Sequence, residues 1–239
     1  MKTKKMLLVL LLVFPMFVNS QDIKPLKNNI SVSYGISVPS FTSNPEEDVY
    51  ASNGSNISFS YAREISTKQS HFIALELKYS KINNPYDNLD SDSKDISNSL
   101  PSSLGSWSSS ANKYELSSYL LGISYNKYLD KRKKLNLSLK IYGGSGGFVS
   151  PKENFQSTSG FFVTLEEAKT NSFVYTTSAG LSIKLTKNIF LGIDAEYFKG
   201  SFLIENQVVN IDNQNSSFRD SYIVDYNNIT LNTSLNFKF

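Results

Sequence analysis

The chain has 239 residues, with 24 lysines and arginines, 21 acids, one histidine and no cysteine. It therefore has neither a disulfide scaffold nor a thiolate metal site, and a lone histidine cannot build a histidine cluster. The formal charge of +3 equals the contribution of Lys2, Lys4 and Lys5, so the remainder is neutral and presents no overall basic field to nucleic acid.

Those lysines precede an apolar run, Met6 to Val18, and Val18-Asn19-Ser20 places small or short residues where signal peptidase cuts. The pattern predicts a secretory signal peptide over 1–20, cleaved before Gln21. The run falls short of the ~20 apolar residues of a membrane helix. No cysteine follows it, which excludes lipid attachment there. Residues 21–239 then form one exported domain, and no later segment reaches the length of an apolar membrane helix. Such a chain crosses a bilayer only as a closed barrel, in which every backbone donor and acceptor is paired between strands.

Strand-period alternation recurs along this domain. Ile30, Val32, Tyr34, Ile36 and Val38 alternate with Ser31, Ser33, Gly35 and Ser37, and then Ile57, Phe59 and Tyr61 with Ser58, Ser60 and Ala62. A third segment sets Ile73, Leu75, Leu77 and Tyr79 against Ala74, Glu76, Lys78 and Ser80. The fourth sets Tyr119, Leu121, Ile123 and Tyr125 against Ser118, Gly122, Ser124 and Asn126, with Leu120 out of place on the polar side. Leu135, Leu137, Leu139 and Ile141 oppose Asn136, Ser138, Lys140 and Tyr142 in the fifth. The sixth runs from Phe173 to Leu185 with Thr176, Ser178, Gly180, Ser182 and Lys184 on its polar side. The seventh sets Ile189, Leu191, Ile193, Ala195 and Tyr197 against Gly192, Asp194 and Glu196, and the eighth runs from Ile229 to Phe239 with Asn236 and Lys238 opposite Leu235, Phe237 and Phe239.

The connections are sorted by length. Residues 66–70, 130–134 and 186–188 are short, whereas 39–56, 82–112, 146–172 and 200–222 are long. Strict alternation of this kind suits a membrane barrel with tight periplasmic turns and long outer loops. Pro39, Pro45, Pro85, Pro101 and Pro151 all fall in the predicted outer loops, where no ladder hydrogen bond is lost. Gly35, Gly122, Gly180 and Gly192 fall on polar faces, where a narrow lumen needs space.

The fold class predicted is all-β, an eight-stranded antiparallel up-and-down transmembrane β-barrel. Phe161 to Leu165 would extend a hairpin beyond the membrane or open the ring to ten strands. Alternation alone also fits a soluble sheet. Tyr34, Tyr61, Tyr79, Tyr125, Tyr175, Tyr197, Phe237 and Phe239 lie on apolar faces, many near strand ends, as interfacial girdles require. The interior would then hold Glu76, Lys78, Lys140, Lys184, Asp194, Glu196 and Lys238, and buried charges in near balance call for a paired network that plugs the lumen.

Catalytic chemistry is scarce. His71 begins a strand at the periplasmic side with no partner for a metal. Gly143-Gly144-Ser145-Gly146-Gly147 lacks the Gly-Lys-Ser/Thr of a phosphate loop and reads as a flexible strand end. Asp87, Asp90, Asp92 and Asp95 lack the central glycine and final glutamate of a calcium loop. No cofactor is implied. The outer loops sum to −9 and the turn Asp130-Lys131-Arg132-Lys133-Lys134 to +3. An acidic exterior gathers bridging cations, repels acidic ligands, or simply serves solubility.

Signal peptide, eight alternating strands, sorted loops and an aromatic terminal strand together resemble the small outer-membrane barrels of the OmpA and OmpX type, particularly those of Bacteroidota. The resemblance implies an outer-membrane location and recognition of Phe237 and Phe239 by the barrel-assembly machinery. Outer-membrane lipid and lipopolysaccharide are the surroundings it implies, no nucleic acid is a partner, and no surface ligand is named by it. The expected function is non-enzymatic, with loops for surface interaction or membrane stabilisation. A narrow porin-like channel and a soluble periplasmic β-barrel carrier are the alternatives.

Overall fold

A computed structural model describes residues 27–43, 51–67, 70–86, 106–205, 208–211, 214–216 and 221–239. The segment read as a signal peptide and the aspartates from Asp87 to Asp95 lie outside the described residues. The strands are β1 (Asn28–Ser43), β2 (Gly54–Thr67), β3 (His71–Pro85), β4 (Trp107–Ala111), β5 (Lys113–Tyr128), β6 (Leu135–Val149) and β7 (Glu153–Ser157). They continue as β8 (Phe162–Leu165), β9 (Lys169–Lys184), β10 (Ile189–Ile204), β11 (Val209–Ile211), β12 (Gln214–Ser216) and β13 (Tyr222–Lys238).

Eight of them close a barrel in the order β1-β13-β10-β9-β6-β5-β3-β2, every pair antiparallel. Closure is the pairing of β1 with β13, which runs from Asn29 opposite Lys238 to Ser43 opposite Val224. Two backbone bonds lock its end, Asn28 N to Phe239 O at 2.8 Å and Phe239 N to Asn28 O at 2.9 Å.

The ring has eight strands and not ten. Phe162–Leu165 pairs instead with β7 and β11 in a separate five-stranded sheet, β12-β11-β8-β7-β4, at the long-loop end. The reason lies in continuity: β4 and β7 prolong the β5–β6 hairpin past the rim, so the strands that follow add to that extension and not to the ring.

Further expectations are corrected. Pro39 lies inside β1 and Pro85 ends β3 opposite Lys113, so neither is in a loop. The β1–β2 ladder ends at Ser37 opposite Gly54, so Pro39 occupies a stretch with one unpaired edge, where a missing donor costs least. The Gly143–Gly147 run is likewise internal to β6. A Cβ on Gly146 would lie 2.6 Å from the Val174 side chain, and one on Gly143 would lie 2.9 Å from the Phe173 ring. These glycines are needed because bulky neighbours lie over them, inside the barrel and outside it.

The barrel strands have 14 to 17 residues, more than the ~10 that span a bilayer, and their polarity reverses along their length. On β10, Leu191, Ile193 and Tyr197 are exposed outward while Glu196 is buried inward; further along, Phe198 and Phe202 are buried inward and Ser201 is exposed outward. β13 behaves alike, with Ile229, Leu231, Leu235 and Phe237 exposed outward, Thr230 and Asn232 buried inward, then Val224 and Tyr226 buried towards the long-loop end. The short-turn half is thus apolar outside and polar inside, while the long-loop half is apolar inside and mixed outside, where Leu203 and Ile223 are exposed beside Ser201 and Asp225.

The core consequently sits within the long-loop half of the lumen. Leu120, the misfit of the fourth segment, belongs to it with Ile82, Tyr114, Leu116, Phe148, Phe198, Phe202 and Tyr226. Ring centroids are 5.0 Å apart for Phe148 and Phe202, 6.0 Å for Phe148 and Tyr226, and 5.9 Å for Phe198 and Tyr226. Phe148 is at the centre of this stack, so Phe148→Ala should destabilise the folded barrel by about 3–5 kcal/mol, measured by urea unfolding in detergent, whereas Ser145→Ala on the outer face should change it little.

Candidate functional site: the charged lumen and the outer sheet

Beneath the aromatic stack a layer of neutral polar groups closes on itself. The Tyr226 hydroxyl donates to Asn84 Oδ1 at 2.8 Å, Asn228 Nδ2 donates to Ser37 Oγ at 2.7 Å, and the Ser37 hydroxyl donates to Asn84 Oδ1 at 3.1 Å. Next in the same direction Asn56 Nδ2 donates to Asn232 Oδ1 at 3.0 Å, and Asn56 Oδ1 accepts from the Ser80 hydroxyl at 2.9 Å.

The charges follow, brought together by strand register. Lys78 on β3 pairs with Glu196 on β10, both almost fully buried, and Lys78 Nζ also lies 5.4 Å from the centre of the Tyr142 ring. Lys140 on β6 reaches Glu76 on β3 at 3.3 Å. Asp194 Oδ2 accepts from Asn232 Nδ2 at 3.0 Å. Lys238 pairs with Glu64, donates to the Tyr128 hydroxyl at 3.2 Å and sits 3.9 Å above the Phe72 ring. Lys184 is the exception: it faces inward near the short-turn end of β9 and makes no ion pair among the described residues. Its backbone N–H donates to Lys134 O at 2.7 Å.

Glu64 is absent from the sequence-derived set. The regular alternation of β2 breaks at a register shift between Glu64 and Ser66, which hides its inward direction. Parity with Ser60 and Ala62 was the available signal. Tyr142, Phe198 and Phe202 share the parity of the interior charges on their own strands, yet an inward face assumed to be polar throughout conceals them.

A cavity of about 70 Å³ occupies the short-turn half, lined by Glu64, Glu76, Lys140, Asp194, Lys238 and Asn126 among others. That is room for on the order of five waters. Phe198 and Phe202 above it have no accessible surface and Tyr226 has 1%.

At the other end, the outer sheet is tied internally. Trp107 meets Phe161 edge-on at 6.0 Å, Lys152 Nζ contacts both Glu166 oxygens at 3.0 Å, and Asn210 Nδ2 donates to Glu166 at 3.2 Å. His71 lies at the opposite end, facing outward, with its ring centroid 5.9 Å from that of Tyr125. No group of three or more His, Asp or Glu side chains suited to a metal occurs among the described residues. The outward Phe237 and Phe239 are exposed, on the strand that closes the ring.

No protein-family model and no curated protein matches the chain. Solved structures do. The outer membrane protease OmpT from Escherichia coli superposes with a TM-score of 0.54 at 9% identity, covering 92% of this chain and 100% of that one. A major outer membrane protein from Thermus thermophilus gives 0.52 at 10% identity, covering 90% and 100%. The likeness is one of fold. The architecture is that of bacterial outer-membrane β-barrels, and at such identities it transfers no activity.

The Lys78–Glu196 pair gives a test of what the lumen demands. Lys78→Met leaves a buried carboxylate alone and should cost about 3–5 kcal/mol, while Lys78→Met combined with Glu196→Met should restore most of that loss. Urea titrations of the singles and the double, compared as a cycle, decide it.

Proposed function

We propose that this chain is an integral outer-membrane barrel of the small OmpA/OmpX-like type, exported by its N-terminal signal peptide and without enzymatic activity. Its long-loop end faces the cell surface, for contact with surface ligands or stabilisation of the membrane. The observation that carries this reading is the polarity reversal along the strands. Exposed Ile, Leu, Phe and Tyr side chains encircle the short-turn half, a surface far larger than the few hundred Å² of contiguous apolar patch a soluble monomer exposes. The same strands carry polar residues outward beyond that band, where they pass into water. Lipid covers the first region and water the second. A soluble carrier would need its apolar band buried by something else.

The aromatic stack favours a closed barrel over the porin-like channel. Phe148, Phe198, Phe202 and Tyr226 are buried against one another in the long-loop half, where a water path would have to pass. In planar bilayers the reconstituted protein should therefore show no steady conductance, and an ohmic current from the wild-type barrel would revive the channel. In cells, the protein should remain in the membrane fraction after carbonate extraction.

Assembly requires the insertion machinery, for which Phe237 and Phe239 are the proposed signal. Both rings project outward from the closing strand, free of the interior network. Replacing Phe239 with Ala should lower the amount of heat-modifiable, folded barrel in outer-membrane fractions several-fold without altering the stability of barrel refolded in detergent. Equal amounts of folded protein in cells would remove that role.

A further inference from the structure

The short-turn end carries a cluster of bases outside the ion-pair network of the lumen, of which Lys133 lies 5.5 Å from the centre of the Tyr128 ring. Lys127 projects outward from β5, two residues past Tyr125. Lys131, Arg132, Lys133 and Lys134 form the β5–β6 turn, and Lys187 lies in the β9–β10 turn; all six are exposed. The two hairpins are joined by the bond from Lys184 N to Lys134 O at 2.7 Å, which sets the two turns side by side at one end of the barrel. None of the six enters an ion pair among the described residues. Lysines near the other end differ: Lys81 and Lys113 reach Glu115 at 2.9 and 3.2 Å, Lys152 reaches Glu166 at 3.0 Å and Lys169 reaches Glu167 at 2.7 Å.

The one carboxylate within the patch is engaged elsewhere. Asp130 Oδ1 accepts the Leu135 and Lys134 amides, each at 2.7 Å. Those backbone bonds, Leu135's first, hold its carboxyl below the usual range, so it stays ionised as a clasp for the turn. Lys133 has φ of 54°, a left-handed conformation that Gly adopts freely and other residues adopt at a cost.

The patch borders the apolar band. Leu129, Leu135 and Leu185, all exposed, lie next to these bases, and the turns are too short to carry the charges far from them. Cations on the rim of a hydrocarbon-facing surface stand at the level of lipid headgroups.

We propose that this patch binds anionic glycerophospholipids of the periplasmic leaflet, through phosphodiester headgroups that bear no compensating amine. This rests on the reading of the chain as a membrane barrel with its short turns in the periplasm. Several bases acting together outside any ion pair give the preference, and their place at the short-turn end confines it to one leaflet. The partner holds the barrel at a fixed depth and orientation.

The test is native mass spectrometry of the folded full-length barrel in neutral detergent, with phosphatidylglycerol and phosphatidylcholine of identical chains as probes. The wild type should retain phosphatidylglycerol over phosphatidylcholine by roughly tenfold. The preference should fall below about threefold in a variant carrying Gln at positions 131–134, and also in Lys127→Gln/Lys187→Gln, which leaves the clasped turn untouched. Lys169→Gln at the other end should match the wild type. Equal retention of the two lipids by wild type, or an undiminished preference in both variants, overturns the proposal. Displacement by millimolar inorganic phosphate would mark a free-anion site, and displacement by a soluble muropeptide would mark the cell wall; either also overturns it. Carbonate extraction reads membrane residence separately, so failure of one conclusion is distinguishable from failure of the other.

Discussion

The pairing of β1 with β13 is the constraint on which the rest depends. Without it the sheet has two free edges, each a row of unsatisfied amides and carbonyls that hydrocarbon cannot solvate. With it, every barrel strand has a neighbour on both sides and the backbone needs no water across the apolar band. The cost is geometric. Eight strands enclose a lumen only wide enough for side chains, so inward positions must fit one another as tightly as a core.

That confinement explains the layering of the interior. In the half surrounded by apolar side chains the lumen holds Lys78 against Glu196, Lys140 against Glu76 and Lys238 against Glu64, because a charge there has no solvent beyond a small cavity and must find its counterion across the barrel. In the other half, rings fill the space and the hydrophobic effect that drives soluble β-proteins operates inside the ring. Asn84, Asn228 and Ser37 form the joint between the two regimes. One molecule thus combines a membrane barrel with a soluble one, stacked on the same strands.

The two ends are chemically unlike. The outer sheet is built from loop segments that continue a barrel hairpin, and its charges are neutralised locally, as Lys152 and Glu166 show. At the short-turn end Lys238 pairs inward with Glu64, while the turn bases Lys131 to Lys134 enter no ion pair among the described residues. The basic turns Lys131 to Lys134 and Lys187 thus differ from the locally paired charges of the outer sheet.

The sequence by itself determined the eight barrel strands in their short-turn halves, the outward faces there and the sorting of turns from loops, because period-two alternation and turn residues are local properties of the chain; the strands' continuation past residues read as loops and the outer sheet came only with the structure. It also supplied the interior charges, since residues such as Glu76 and Lys78 share a face with serines and alanines that any reader of the pattern places inside. It was misleading about polarity: Leu120, Tyr142, Phe198 and Phe202 lie on faces that looked polar, and their grouping needed the register of strands far apart in the chain. Which lysine meets which carboxylate, why Gly146 must be glycine, where Glu64 points after a bulge, and whether Phe162–Leu165 joins the ring were settled only in three dimensions. The physical reason is common to all four. Alternation says which side of a strand a residue takes, while closure and stagger decide its height in the lumen and the neighbours it meets there.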